Sequence, residues 1–245
     1  MIYVGENKST LYKGNFHPAE LYKGDKKIAG YTMEEFEGTE SVTLENCYND
    51  KVYDIEISEN AQSITVRGKN YFDLDKVPFL KTTEPYNNGL KFWKSIGNNR
   101  GDKIPISLPV GRTIYITMDV VDSMINGTAK RVTMGFFNSS GTLITSRTIS
   151  SSIAHKSYSF AFSEEVSYMQ FYFQANNEMN AVGDYVTMDN IMFRCVGDDT
   201  YEKYIEPQTI LFENGEPTAD IPTFIGTTVI EAEATISGKY KKMEE

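Results

Sequence analysis

The sequence predicts an all-β protein: an antiparallel β-sandwich of the jelly-roll type, inserted in a small β frame formed by the N- and C-terminal segments. Aromatic residues make up 13% of the 245 residues, and long runs rich in Leu, Ala, Glu and Lys are missing, which favours β structure. From about Asn70 onward, segments of alternating apolar and polar residues recur between turn dipeptides such as Asn88-Gly89. The segment after Pro207 resembles the first 68 residues more than this middle part.

The first segment, residues 1–68, contains a short repeat, Leu-Tyr-Lys-Gly, at 11–14 and 21–24. Each copy predicts a short strand that ends in a turn, because glycine adopts positive φ at low cost. The acidic stretch 32–37 predicts a brief helical turn. Apolar residues at alternating positions then predict strands at 41–45, 52–57 and 64–66.

The middle segment, residues 69–207, predicts the sandwich, because about eight short alternating strands in succession are typical of that architecture. The acidic pair Asp198-Asp199 ends the last strand, and Tyr201 and Tyr204 close the module where its two ends meet. Residues 208–245 predict two or three further strands that complete the frame. Domains whose termini lie close together are the ones tolerated as insertions.

Composition and charge exclude several classes of function. The formal net charge of −10 argues against nucleic-acid binding, which needs clustered Lys and Arg. The one basic run, Lys239–Lys242, predicts a solvated tail. No apolar stretch approaches the ~20 residues that a spanning helix needs, so no membrane insertion is expected. Cys47 and Cys195 stand far apart, which indicates assembly in a reducing compartment.

The sequence predicts a protein that is not an enzyme. Neither His17 nor His155 has a nucleophile motif beside it, and the usual nucleotide, hydrolase and zinc-protease motifs are missing. Adjacent acids such as Glu164-Glu165 point apart or into solvent. A glycosidase needs two carboxyl groups across a cleft, about 5–9 Å apart, and the sequence leaves that alternative open.

The outward faces of the predicted sandwich strands carry a set of aromatic and polar side chains that suits a sugar. Flat rings stack on the C–H faces of sugars, while amides and carboxylates bind hydroxyl groups. The candidate carbohydrate-binding residues are Trp93, Tyr115, Asp119, Gln170, Tyr172 and Gln174. Three alternatives stay open: ordinary β-propensity on an outer face, contact with a neighbouring subunit, and strands that belong to different sheets.

Two resemblances cover nearly the whole chain. The stretch GKNYFDLDKV at 68–77 resembles the opening of the jelly rolls, of the carbohydrate-binding-module type, found in phage tail proteins. The stretch YVTMDNIMFRCVGDDTYEKYIEP at 185–207 resembles their ending, with its Tyr-x-x-Tyr-x-x-Pro pattern. The flanks at 20–57 and 219–234 resemble minor structural proteins of tailed phages and prophages of Gram-positive bacteria.

These resemblances imply a virion structural protein of the tail tip, baseplate or fibre, assembled in the cytoplasm of the host bacterium. It would form homo-oligomers and contact other tail and baseplate proteins. Its jelly roll would bind polysaccharide on the host surface, which serves as the receptor. The alternatives are a purely structural collar, head-fibre or decoration protein, and a component of a depolymerase-type enzyme. Related modules hold a structural Ca²⁺ near the last strand, where Asp189 is the matching acid, or else an ordinary edge residue; no other cofactor is implied.

Overall fold

The computed structural model describes residues 2–3, 9–10, 20–23, 26–58, 61–80, 82–94, 100–125, 131–173 and 182–243, with side chains from residue 30 onward except at 131. Apart from one short 3-10 helix at Leu74–Lys76, the regular elements in these ranges are β-strands. The strands are β1 (Ile2–Tyr3), β2 (Ser9–Thr10), β3 (Glu20–Lys23), β4 (Lys26–Ile57), β5 (Ser63–Gly68), β6 (Thr83–Tyr86), β7 (Gly89–Trp93), β8 (Ile104–Pro105), β9 (Thr113–Met124), β10 (Arg131–Phe137), β11 (Leu143–Ser150), β12 (Ala154–Ala161), β13 (Tyr168–Tyr172), β14 (Tyr185–Arg194), β15 (Gln208–Glu213), β16 (Glu216–Pro217) and β17 (Gly226–Met243).

The strand pairings within the described residues are antiparallel, so the prediction of an all-β antiparallel fold is confirmed. The chain divides into two compact units. We call Met1–Arg67 with Glu206–Glu245 the frame unit, and Gly68–Ile205 the sandwich unit. The sequence placed the two boundaries at 68 and 207. No helix in the described part of the chain is long and apolar enough to cross a membrane.

The sandwich unit consists of two sheets around one apolar core. One sheet has five strands in the order β12-β9-β14-β7-β6, and the other has four in the order β11-β10-β13-β8. Strict alternation places the core residues, so Ile114, Ile116 and Met118 of β9 are buried between the sheets. Phe136 of the four-stranded sheet contacts Phe193 of the five-stranded sheet, with ring centroids 6.1 Å apart.

The two ends of the sandwich unit are joined through buried polar side chains. Lys69 is 1% exposed, and its ammonium lies 2.8 Å from Asp198 Oδ1 and 3.1 Å from Glu202 Oε1. Tyr71 N–H donates to Phe193 O at 2.8 Å, which ties the opening segment to the last strand. The acidic turn after β14 and the segment that follows it therefore each supply one partner of a buried lysine.

The frame unit is built around β4 and β17. The second half of β17 lies between two stretches of β4, since Tyr240 is in register with both Glu34 and Val52. Strand β4 bends where Glu40 and Asn46 have φ of 66° and 52°. β5 follows β17 in the same sheet, and β15 pairs with β5. The N- and C-terminal segments thus share one sheet. Gly14 and Gly24, which end the two repeats, lie outside the described residues.

Two local predictions in the frame unit are wrong, for one physical reason. Residues 32–37 belong to β4 instead of a helical turn, and Lys239–Lys242 belongs to β17 instead of a solvated tail. The acids and the lysines pair across the two strands: Lys242 lies 3.1 Å from Glu34, and Lys239 lies 3.6 Å from Glu35. Long-range pairing overrides the local helix propensity of an acidic stretch.

Tyr240, within this basic run, is buried in the frame unit. Its side chain is 5% exposed, and Tyr240 Oη lies 3.2 Å from the carbonyl oxygen of Glu45, to which it donates. Burial, followed by the nearby Glu34 carboxylate, raises the pKa of Tyr240 to about 12. Lys241, on the next position of β17, pairs with the carboxylate of Asp50.

Candidate functional site

The structure places the predicted binding residues on two different sheets. Trp93 of β7, and Tyr115 and Asp119 of β9, lie on the outer face of the five-stranded sheet. Gln170 and Tyr172 of β13 lie on the outer face of the four-stranded sheet. The apolar core separates these two faces, so the residues cannot converge on one ligand.

Asp119 is held by its neighbours on the five-stranded sheet. Its Oδ1 lies 2.8 Å from His155 Nδ1, and its Oδ2 accepts a hydrogen bond from Asn190 Nδ2 at 2.9 Å. Burial raises the pKa of Asp119, but the bonds from Asn190 and His155 outweigh it, so the pKa lies below its ordinary value of 3.8. His155 Nε2 is also 3.8 Å from Asp199, which brings the closing segment against this face.

Trp93 and Tyr115 lie at opposite ends of the same outer face. Tyr115 is in register with Arg194 at one end of β14, and its ring lies 5.2 Å from the Arg194 guanidinium carbon. Trp93 is in register with Tyr185 at the other end of β14. Between these ends, Met192 is fully buried. The two rings therefore do not form one continuous aromatic surface.

Asp189 holds a turn and a bulge in the five-stranded sheet. Its Oδ1 accepts from the backbone N–H groups of Asn88 and Asn190 at 3.0 and 2.8 Å, and its Oδ2 accepts from Asn87 Nδ2 at 3.1 Å. Calcium takes about six to eight oxygen ligands. Among the described residues, no three His, Cys, Asp or Glu side chains come together as a metal site would require. Asp189 therefore has a structural role in the described part of the chain, and the calcium ion that the resemblance implies stays a prediction.

The outer face of the four-stranded sheet carries adjacent aromatic and amide side chains, which we call the aromatic face: Phe137, Tyr168, Gln170 and Tyr172. Alternation along β13 puts its three members on one side. The rings of Phe137 and Tyr168 stack, with centroids 4.9 Å apart and planes 7° apart. Gln170 donates from Nε2 to Gly101 O at 2.8 Å. Gln174, the sixth predicted residue, lies outside the described residues.

Two basic side chains border the aromatic face. Lys103 Nζ lies 4.6 Å from the ring centroid of Tyr168, and Arg100 Cζ lies 5.9 Å from that of Tyr172. A cation within about 6 Å of a ring centroid is attracted to the π face. The two tyrosine rings are thus each restrained by a cation, one on either side of Gln170.

Thr133 carries an unpaired hydroxyl on the aromatic face. It is in register with Tyr172 and points outward, because Val132 and Met134 on either side lie in the core. Its side chain is 3% exposed, and Oγ1 has no hydrogen-bond partner within the described residues. A buried unpaired hydroxyl costs about 1–3 kcal/mol. Because this oxygen is closed to solvent, the unpaired hydroxyl is a cost of packing beneath the aromatic face.

Gly135 lies beneath the rings of the aromatic face, so its substitution tests how closely Tyr172 and Phe137 pack on the backbone. A Cβ there would lie 2.8 Å from Tyr172 Cε1 and 3.1 Å from Phe137 Cε2. We expect Gly135→Ala to displace the Tyr172 ring and to lower the free energy of unfolding by about 1–2 kcal/mol. Urea unfolding and the NMR shifts of the tyrosine ring measure both effects. Ser146→Ala, in register on the neighbouring strand, is the control; an unmoved ring in Gly135→Ala would contradict the contact.

Sequence reasoning missed Tyr168, Phe137 and Thr133 as members of this face. A signal existed for Tyr168, because it shares the i, i+2, i+4 alternation of Gln170 and Tyr172 in the segment SYMQFYFQA. The doublet Phe136-Phe137 hides the outward ring, since adjacent residues on a strand point to opposite faces. Nothing local indicates that β10 and β13 are neighbours.

Comparisons with known proteins do not identify this chain. No family model matches it, and no curated protein matches it. Among solved structures, it is similar to a structure of infectious bursal disease virus, strain Gt, at 8% identity and a TM-score of 0.25, over 93% of this chain and 85% of that chain. A mutant VP2 protein of infectious bursal disease virus, from derived T=1 particles, gives 8% identity and a TM-score of 0.23, over 93% of this chain and 80% of that chain. Overlaps this slight carry no conclusion about the chain.

Proposed function

We propose that this chain is a non-enzymatic structural protein of a phage or prophage virion, at the tail tip or baseplate. In this proposal the sandwich unit binds host surface carbohydrate through the aromatic face. The observation that carries the binding role is the row of Tyr168, Gln170 and Tyr172 on one outer face, with a cation beside each tyrosine ring. The virion role is supported by the resemblance of the flanks 20–57 and 219–234 to tail proteins.

The chemistry of the aromatic face suits a sugar chain. Rings of Tyr168 and Tyr172 offer apolar faces for sugar C–H groups, and their orientation is restrained before a ligand arrives. Gln170 is fixed through its amide nitrogen, which leaves its amide oxygen as the acceptor.

The frame unit would then be the part that docks to other virion proteins. The flanks that resemble tail proteins fall within this unit. Homo-oligomerisation and several copies per particle would convert weak binding at each aromatic face into useful avidity. A collar, head-fibre or decoration role would use the same frame without glycan binding.

The test is binding of the purified protein to an array of bacterial cell-wall polysaccharides. We expect Tyr172→Ala to weaken binding by about tenfold or more, because it removes a stacking ring from the aromatic face. Trp93→Ala is the matched control, since it removes an aromatic ring from the outer face of the other sheet. Loss in Trp93→Ala alone would move the site to the five-stranded sheet.

Two further outcomes would overturn the proposal. Absence of binding by a folded, multimeric protein would leave the purely structural role. Release of soluble sugar products from the polysaccharide would establish a depolymerase instead.

A further inference from the structure

A second concave site lies at the closed end of the sandwich unit, apart from the aromatic face. It is a cavity of about 250 Å³. Three segments meet there: the opening loop, the turn between β6 and β7, and the closing segment after β14. Its lining includes Asp73, Asp75, Asn87, Asn88, Tyr201 and Lys203. Both stretches that resemble the ends of a jelly roll, 68–77 and 185–207, therefore contribute to one pocket.

Side chains at the back of this pocket are held by bonds within the protein. Asp73 Oδ1 accepts from the backbone N–H of Asp75 at 3.0 Å, and Asp73 Oδ2 lies 3.2 Å from Lys76 Nζ. Asn87 Nδ2 is bound to Asp189, and Asn88 Nδ2 donates to Asn190 Oδ1 at 3.1 Å. A pocket with its walls fixed in advance loses less entropy on binding.

Other polar groups of the pocket remain available to a ligand. Within the described residues, neither the Asp75 carboxylate nor the Tyr201 hydroxyl has a hydrogen-bond or ion-pair partner. Burial, followed by the nearby Asp189 carboxylate, raises the pKa of Tyr201, so this hydroxyl is a donor at neutral pH. The pocket thus offers one free carboxylate acceptor and one free hydroxyl donor beside tyrosine rings.

Size and charge limit what this pocket can take. Its volume lies just below the ~300–1,000 Å³ of sites for drug-sized ligands, so it suits one small ring. Asp73 is already paired with Lys76, so the remaining charged side chains of the lining are Asp75 and Lys203, one of each sign, which suits a ligand without net charge. Carboxylates bind vicinal hydroxyls, and tyrosine rings stack on the apolar face of a pyranose.

We propose that this pocket binds a single neutral pyranose residue, as a free monosaccharide or as the terminal sugar of a glycan. Asp75 accepts hydrogen bonds from ring hydroxyls, the Tyr201 hydroxyl donates to a sugar oxygen, and Tyr201 supplies ring contact. The site does not use any residue of the aromatic face. It would stand if the aromatic face proved to be a subunit contact.

The test uses the full chain and neutral monosaccharides: glucose, galactose, mannose, N-acetylglucosamine and rhamnose, each at millimolar concentration. Saturation-transfer NMR detects binding, and a titration of chemical shifts gives Kd. We expect at least one sugar to bind, and Asp75→Asn to raise its Kd about tenfold by loss of a charge-assisted hydrogen bond. Asp75 is exposed and its side chain makes no bond within the described residues, so the variant should fold normally.

Two control variants distinguish binding in this pocket from binding elsewhere on the sandwich unit. Glu165→Gln removes an exposed carboxylate outside the pocket and should not change monosaccharide binding. Tyr172→Ala removes a ring of the aromatic face and tests whether the sugar binds there instead. If no sugar of the panel binds the folded protein, or if Asp75→Asn binds as the unmodified chain does, the pocket is not a sugar site. Loss in Tyr172→Ala would assign the binding to the aromatic face and overturn the inference.

Discussion

Replacement of Asn70 by alanine is expected to lower the free energy of unfolding of the sandwich unit by about 3 kcal/mol. Asn70 is buried, and both ends of its side-chain amide are bonded. Its Oδ1 accepts from the backbone N–H groups of Phe72 and Phe193 at 2.9 and 3.0 Å. Its Nδ2 donates to Ile191 O and Glu202 O at 3.4 and 2.9 Å. One amide thus joins the opening segment, the last strand and the closing segment.

The size of the effect follows from what alanine leaves behind. Two backbone N–H groups and the carbonyl oxygen of Ile191 lose their partner in a buried place, and the carbonyl oxygen of Glu202 loses its partner in a partly buried one. Each buried unpaired group costs about 1–3 kcal/mol before the structure relaxes. Local relaxation and the entry of water reduce the summed cost of these unpaired groups to the expected loss of about 3 kcal/mol. Urea unfolding followed by the fluorescence of Trp93, the single tryptophan, reports on this unit.

Asn138→Ala is the matched control for Asn70→Ala. Asn138 also uses both ends of its amide: Oδ1 accepts from Thr142 N–H at 2.9 Å, and Nδ2 donates to Glu164 at 3.1 Å. These bonds lie at the surface, where water replaces a lost partner, so the control should cost less than about 1 kcal/mol. Equal losses in the two variants would show that burial of Asn70 is not what makes it important.

Local pattern was enough to predict the strands of the sandwich but not their neighbours. The alternation in RTIYITMDVV and SYMQFYFQA predicts an inner and an outer face for each strand. The described residues assigned to the inner faces are buried, but Thr117 and Gln170, assigned to the outer faces, are buried as well. Alternation is the same whichever sheet a strand joins. The division of Trp93 and Tyr172 between opposite faces is set by long-range pairing, which a single sequence does not display.

Residues with unusual burial were also beyond local prediction. Strand β6 escaped notice because Pro85 interrupts its pattern; Pro is tolerated there because β6 is an edge strand. Lys69 looks like a surface residue, since lysine is almost never fully buried unless it is paired. Its partners lie more than a hundred residues further along the chain. The doublet Phe136-Phe137 and the acidic turn Asp198-Asp199 stand out in the sequence, but their roles depend on contacts with residues far away in the chain.

The buried ammonium of Lys69 depends on its two carboxylate partners for the stability of the sandwich unit. We expect the double variant Asp198→Asn/Glu202→Gln to lower the free energy of unfolding by about 3 kcal/mol, because it leaves a buried charge without its two carboxylates. Addition of Lys69→Met to this variant should recover most of the loss, since a buried pair replaced by apolar atoms of similar volume is often neutral. The same urea experiment at neutral pH measures all three proteins.

The stability of the Lys69 ion pair should also depend on pH. The hydrogen bond from Lys69 lowers the pKa of Asp198 below its ordinary value of 3.8. A carboxyl whose pKa is depressed by folding contributes stability that is present above the unfolded pKa and is lost as pH falls through the folded pKa. The unmodified chain should therefore lose stability below about pH 4 more steeply than the triple variant, which has no pair to break. Two results together would contradict this role of the ion pair: a triple variant no more stable than the double variant at neutral pH, and the same loss of stability in acid for both variants. The bonds of Asn70 alone would then join the two ends of the sandwich unit.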